Sequence, residues 1–316
     1  MHNSEIKLNE PDQVFADIQE QKSNRSLRAT LILLSVILIW GVNFPVMKYA
    51  FKQIHPMVFN EIRFSISPII LIIILLVTEG WQKISKQDWL HLAVLGFFQT
   101  LLYQLLFVNG LITTASGVAS ILTSTSPLWT ALFAWVFKVE KLSKWLVLGI
   151  AIAFVGIIMI VLGGTHGSFF GDSFTGEVIV LISAMIWASG TLISKRLLEK
   201  YSALRITAIS MALNAVPLLC IGFPFALHQN WQEVRFMTWL AVLFSSLFAV
   251  LIGYLAWAYA VQHLGATRTA SFGNLTPVIA FISAYIIAHE RVASLQIAGA
   301  VVIFAAIWLS RKNNTG

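Results

Sequence analysis

Ten stretches of this chain are apolar for about the twenty residues that a helix needs to cross a bilayer. They run approximately 29–50, 57–79, 89–110, 117–138, 145–163, 177–196, 204–226, 237–261, 267–288 and 294–310. In lipid every backbone N–H and C=O must be bonded inside the protein, and a helix achieves this within one segment. The sequence therefore predicts an all-α integral membrane protein with ten transmembrane helices. Only 11% of the 316 residues are charged, against about 25% in soluble domains, which excludes an ordinary soluble fold. The net charge of +7 would suit nucleic acid, but its distribution follows membrane topology instead, so no nucleic-acid partner is expected. With both termini placed in the cytoplasm, 16 of the 21 lysines and arginines fall on the inner side; Lys48, Lys52, Arg63, Arg235 and Arg291 are the five outside. Short cytoplasmic loops carry such an excess of positive charge.

The chain also repeats itself. SGVASILTSTSPLWTALFAWVFKVEKLS, residues 116–143, returns as ATRTASFGNLTPVIAFISAYIIAHERVAS, residues 266–294. At an offset of 150, Pro127 meets Pro277, Ala134 meets Ala284, and Glu140-Lys141 meets Glu290-Arg291. Trp89 meets Trp239 at the same offset, and Trp40 and Lys48 meet Trp187 and Lys195 at 147. Each half holds five helices, an odd number, so the second half enters the membrane from the opposite side. The expected architecture is two inverted five-helix repeats. They span 29–163 and 177–312, joined by an external Gly/Ser-rich linker at 164–176 and preceded by a polar, disordered cytoplasmic tail at 1–28. That tail lacks the features of a signal peptide. A proline inside a helix removes one backbone bond and crowds the carbonyl four residues earlier, here those of Thr123 and Gly273. Pro127 and Pro277 are thus expected to weaken two helices near mid-membrane and to take part in gating.

IWGVNFPVMK at 39–48, EIRF at 61–64, ASGVAS…SPLWTALFAWVFKVEKLS in the first half and GYLAWAYAVQHLGATRTASFGNLTPVIAFISAYIIAHERVA at 253–293 together resemble the drug/metabolite transporter superfamily, and within it the EamA-type ten-helix permeases. The likeness covers roughly residues 29 to 312. It implies a carrier of the inner membrane, often an exporter, with a pocket between the halves. The repeats are not identical where this matters. Ser210 stands where Arg63 would align, and Gly190 faces Asn43.

The polar residues within the spans are few. No Asp or Glu lies near a helix centre, which argues for facilitated diffusion or exchange, or for proton coupling near a helix end. Glu61 and Arg63 are the coupling candidates; two residues apart, they do not share a face. Lys48, near the outer end of the first span, could capture a carboxylate or phosphate, or simply snorkel to the interface. Trp40 and Trp187 sit at helix centres, where an indole N–H needs a partner. Gln99 and Tyr103, at i and i+4, share a face. Tyr254, Trp257, Asn43 and Asn274 add rings and amides at similar depth. The expected binding set is therefore Trp40, Asn43, Lys48, Gln99, Tyr103, Trp187, Tyr254, Trp257 and Asn274, lining a cavity of rings and amides rather than fixed charge. For any one of them the rival role is an ordinary helix–helix contact.

One cysteine, Cys220, excludes a disulfide framework, and the seven histidines are scattered, so no metal and no cofactor are expected. GGTHG at 163–167 lacks the ending of a phosphate loop. No nucleophile with a base lies within the spans, which argues against a membrane-embedded enzyme. The reading is a secondary transporter that moves a small organic metabolite, an amino acid or related compound, outward by alternating access. Nucleotide-type metabolites and lipophilic drugs are the rival solutes, and a channel is the rival class. The expected partners are that solute and the lipid bilayer, with the protein a monomer or homodimer.

Overall fold

The apolar runs fold as helices in the computed structural model, which describes residues 11–137, 144–164, 172–289 and 293–310. The helical segments are α1 (Pro11–Ala50), α2 (Pro56–Thr78), α3 (Lys86–Thr113), α4 (Ser116–Thr123), α5 (Ser126–Val136) and α6 (Lys144–Gly164), followed by α7 (Asp172–Leu198), α8 (Ala203–Leu227), α9 (Phe236–Leu264), α10 (Ala266–Phe272), α11 (Thr276–Ala288) and α12 (Ser294–Ser310). Among the described residues there is no strand. Among the described residues, six helices are long and apolar enough to cross a membrane: Arg25–Ala50 of α1, α2, α3, Ser173–Leu198 of α7, α8 and α9. Shorter apolar helices lie in α6, α11 and α12. The first helix reaches back to Pro11, so polar residues of the N-terminal stretch form its opening turns.

Local chemistry sets the ends. Pro56 opens α2, where its missing N–H is no loss, and the His55 ring accepts from the Met57 N–H at 3.3 Å. Ser85 and Ser202 cap α3 and α8 by accepting from the Asp88 and Arg205 N–H groups, each at 3.1 Å. Gly80 and Gly265 follow α2 and α9 at φ +66° and +86°, a region that glycine enters without steric cost.

Two departures from regular helix shape the interior. The first is a set of wide π turns, Phe97–Leu102 in α3, Ser245–Ile252 in α9 and Ala284–Ala288 in α11. The second corrects the expectation of prolines strained inside continuous helices. Both helices stop before the proline, and Pro127 and Pro277 stand in the first turns of α5 and α11. Their lost N–H is harmless there. The carbonyls expected to be crowded find local donors: Thr123 O accepts from the Ser126 hydroxyl at 2.5 Å, and Gly273 O accepts from the Thr276 N–H.

Packing interleaves early and late helices. α1 lies against α11 and α9, and α7 against α3, α4 and α5. α6 and α12 pair through Gly156 and Gly299; a Cβ on either would sit 2.7 Å from the other's carbonyl oxygen. Lipid supplies no hydrophobic drive between helices, so such close approach of small residues holds them together. Gly156→Leu is expected to destabilise the protein by about 2 kcal/mol through overpacking, read as a lower Tm for the purified protein.

The bundle is tied at both ends. At one, Asp88 accepts from Lys200 at 3.1 Å and from the Tyr201 hydroxyl at 2.8 Å. Beside it Glu79 accepts from the Ser202 hydroxyl at 2.8 Å and pairs with Arg205 at 3.1 Å. Burial and the bond to Asp88 raise the Tyr201 pKa, so the phenol stays protonated. At the other end the Gln53 side chain accepts from the Arg235 N–H at 2.9 Å and the Thr238 hydroxyl at 2.7 Å. His55 stacks on Phe225 with centroids 4.3 Å apart, and burial lowers its pKa, favouring the neutral ring.

Candidate solute-binding site

Between these ends, where the α4–α5 and α10–α11 breaks face α1, α3, α7 and α9, lies a cavity of about 100 Å³. Its wall is mostly aromatic. Trp187 is the hub, with ring centroids 5.7 Å from Trp40, 4.9 Å from Tyr103, 5.3 Å from Tyr254 and 5.8 Å from Trp257. Trp40 also meets Trp257 at 5.3 Å. The Trp40 indole N–H donates to Ala249 O at 2.9 Å, in the π turn of α9. Gly253 is required beside it, because a Cβ there would lie 2.5 Å from Trp40 Nε1. Asn43, Thr123, Ser124, Ser126, Pro127 and Thr276 add polar and small surface.

A charge lies in this wall. Arg63, expected at a helix end and counted with the outer loops, is only 2% exposed and lines the cavity. Its guanidinium donates to Asn60 Oδ1 at 2.5 Å, Gln104 Oε1 at 2.9 Å and Ser245 Oγ at 2.9 Å. It also lies over the rings of Phe59 and Phe64, at 5.1 and 5.6 Å. Gln104 continues the chain by donating to the Tyr254 hydroxyl at 2.7 Å, which donates to Gln99 O at 3.2 Å. Among the described residues no carboxylate pairs with Arg63. The expectation of a cavity without fixed charge is therefore corrected. One signal was readable: counted from Pro56, Arg63 is seven residues on, about 10 Å into α2.

Of the expected set, Trp40, Asn43, Tyr103, Trp187, Tyr254 and Trp257 meet at the cavity. Lys48 does not; its ammonium donates to Thr114 O at 2.9 Å, at the junction of α3 and α4. The Gln99 side chain also lies outside, packed toward Gly190 of α7. The π turn over Phe97–Leu102 widens the helix there, so residues four apart no longer share a face. Glu61 is half-buried against Gly222 of α8, away from the cavity and not paired with Arg63. Pro127 lines the cavity, whereas Pro277 is buried but not among its lining residues. The Asn274 side chain and the pairs Glu140-Lys141 and Glu290-Arg291 lie outside the described residues. No group of histidine, cysteine and carboxylate side chains among the described residues could hold a metal ion.

Three comparisons bear on this arrangement. The EamA-like transporter family matches the chain twice, at residues 27–162 and 174–311. An uncharacterized transporter of Archaeoglobus fulgidus is 30% identical over 284 residues, covering 89% of this chain and 96% of that protein. A probable amino-acid metabolite efflux pump of Salmonella typhimurium is 24% identical, covering 88% and 93%. A solved structure, described as a crystal structure of a protein, shares the fold with a TM-score of 0.63 at 17% identity, covering 92% of this chain and 99% of its own. The chain is thus a multi-pass membrane protein of the EamA-like transporter family.

Proposed function

We propose that this protein is a secondary carrier that exports an amino acid or related small metabolite across the bacterial inner membrane by alternating access. In this reading α4–α5 and α10–α11 are two broken spans, giving ten spans in two inverted repeats, 29–163 and 177–312, with both termini cytoplasmic. The observation that carries it is who owns the cavity. Trp40, Asn43, Arg63, Tyr103 and Gln104 come from the first family match; Trp187, Tyr254 and Trp257 come from the second. Moreover, Gln104 and Tyr254 are 150 apart, the repeat offset, and they bond to each other. Trp40 and Trp187, equivalent at offset 147, meet edge to face. Residues related by a two-fold axis can touch only near that axis, so the cavity falls where two rocking halves would share a site.

The end contacts are consistent with the charge-derived topology. The segments carrying Glu79–Asp88 and Lys200–Arg205 belong to one side, and those carrying Gln53 and Arg235 to the other. Their hydrogen bonds join residues of the first family match to residues of the second at both ends of the bundle. Rings with a few amides suit an amino acid, and the Salmonella relative's name points the same way. A nucleotide's phosphates would exceed the charge of Arg63, the one cation among the described residues that line the cavity, and a cationic drug would be repelled by it.

Counterflow tests this reading. Proteoliposomes loaded with one unlabelled L-amino acid at a time should take up the same labelled compound faster than empty ones, with saturation. Flux that neither saturates nor responds to internal solute would favour a channel and overturn the proposal. Direction is tested separately, by whether cells lacking the protein retain more of the solute.

A further inference from the structure

The feature that the carrier reading leaves unexplained is the guanidinium of Arg63. A staple between α2, α3 and α9 needs hydrogen bonds but no net charge, and burying a cation without a counter-charge is expensive. Asn60, Gln104 and Ser245 are neutral acceptors, and the Phe59 and Phe64 faces offset only part of the lost hydration. Residues of the same cavity carry other polar atoms that no described group satisfies: Arg63 Nε, Trp257 Nε1 and Asn43 Oδ1. Two are donors that suit an anion, and one is an acceptor that suits an N–H.

We propose that Arg63 is the carboxylate anchor of the site, selecting solutes that carry one carboxylate. This rests on the solute-carrier reading above and adds to it which solutes are admitted and by what group. One guanidinium neutralises one negative charge. A phosphate monoester carries about −1.5 to −2 at neutral pH and would leave charge unpaired in a low-dielectric chamber. A carboxylate matches the guanidinium in charge and in its fork geometry. An α-amino group then faces the ring walls, which attract an ammonium, and the Asn43 carbonyl oxygen.

The test uses the full-length protein in lipid nanodiscs, with intrinsic tryptophan fluorescence as the readout, since Trp40, Trp187 and Trp257 line the cavity. The probes are the L-amino acids, the α-carboxamide of each, and inorganic phosphate. At least one acid should bind about thirtyfold more tightly than its amide, the factor that a charge-assisted hydrogen bond supplies. Arg63→Gln should abolish that ratio and Arg63→Lys should keep part of it. Should Arg63→Gln fail to fold, the acid-to-amide ratio of the unaltered protein decides alone. Equal binding of acid and amide, no binding by any acid, a ratio that survives Arg63→Gln, or tighter binding of phosphate overturns the proposal. Acid preference without counterflow would remove the carrier reading and leave the anchor standing. Counterflow that treats acid and amide alike would do the reverse.

Discussion

Replacing Trp187 with alanine is expected to lower the counterflow rate at least tenfold while the protein still folds. Trp187 meets four other rings of the cavity wall, those of Trp40, Tyr103, Tyr254 and Trp257. Its four ring contacts fix the surface that the solute meets, and a tenfold loss of rate needs only ~1.4 kcal/mol of barrier. The loss falls on the cavity rather than on the bundle, because the neighbouring rings are held from elsewhere: Trp40 by Ala249 O and Tyr254 by Gln104. The check pairs counterflow with gel-filtration profile and Tm. A folded Trp187→Ala protein with unimpaired counterflow would place the solute elsewhere.

Gly96→Ala is expected to be the most damaging change of one methyl group, destabilising by about 3 kcal/mol. Gly96 lies at the end of the regular part of α3, just before its π turn. A Cβ there would collide with Ser210 O and the Asn214 amide of α8. Neither can retreat easily. Ser210 O is backbone, and Asn214 Nδ2 is held by Ala93 O at 3.2 Å and Ser210 O at 3.1 Å. The methyl must therefore push α3 from α8 and break a bond between them. Gly273→Ala is the control, since its nearest neighbour would be Trp257 at 3.9 Å, an ordinary contact. Its Tm should stay near that of the parent. Equal Tm for all three proteins would show that α3 and α8 do not approach as described.

Much of the architecture was legible because apolar length and punctuation are local. The span expected at 57–79 is found at Pro56–Thr78, and that at 204–226 at Ala203–Leu227. Trp40 and Trp187 were legible as a pair because a tryptophan at mid-helix, repeated in both halves, stands out from the interfacial ones. The misreadings share a cause, which is dependence on partners far along the chain or on backbone geometry. Lys48 is engaged by a carbonyl 66 residues away. Ordinary helical periodicity puts Gln99 on the face of Tyr103, and no compositional mark announces an i→i+5 turn. Nearness to a loop in the sequence suggests an interfacial place for Arg63, whereas its own helix carries it inward to Gln104 and Ser245.

The Arg63 guanidinium in the cavity wall also bears on how a carrier cycle would run. A vacant chamber must pass through its shut form with that cation facing only water and neutral dipoles, whereas a chamber holding a carboxylate shuts around a matched pair. In such a cycle the unloaded return would be the slower half, and solute waiting on the far side would relieve it. Such a machine trades one molecule for another more readily than it drains a compartment.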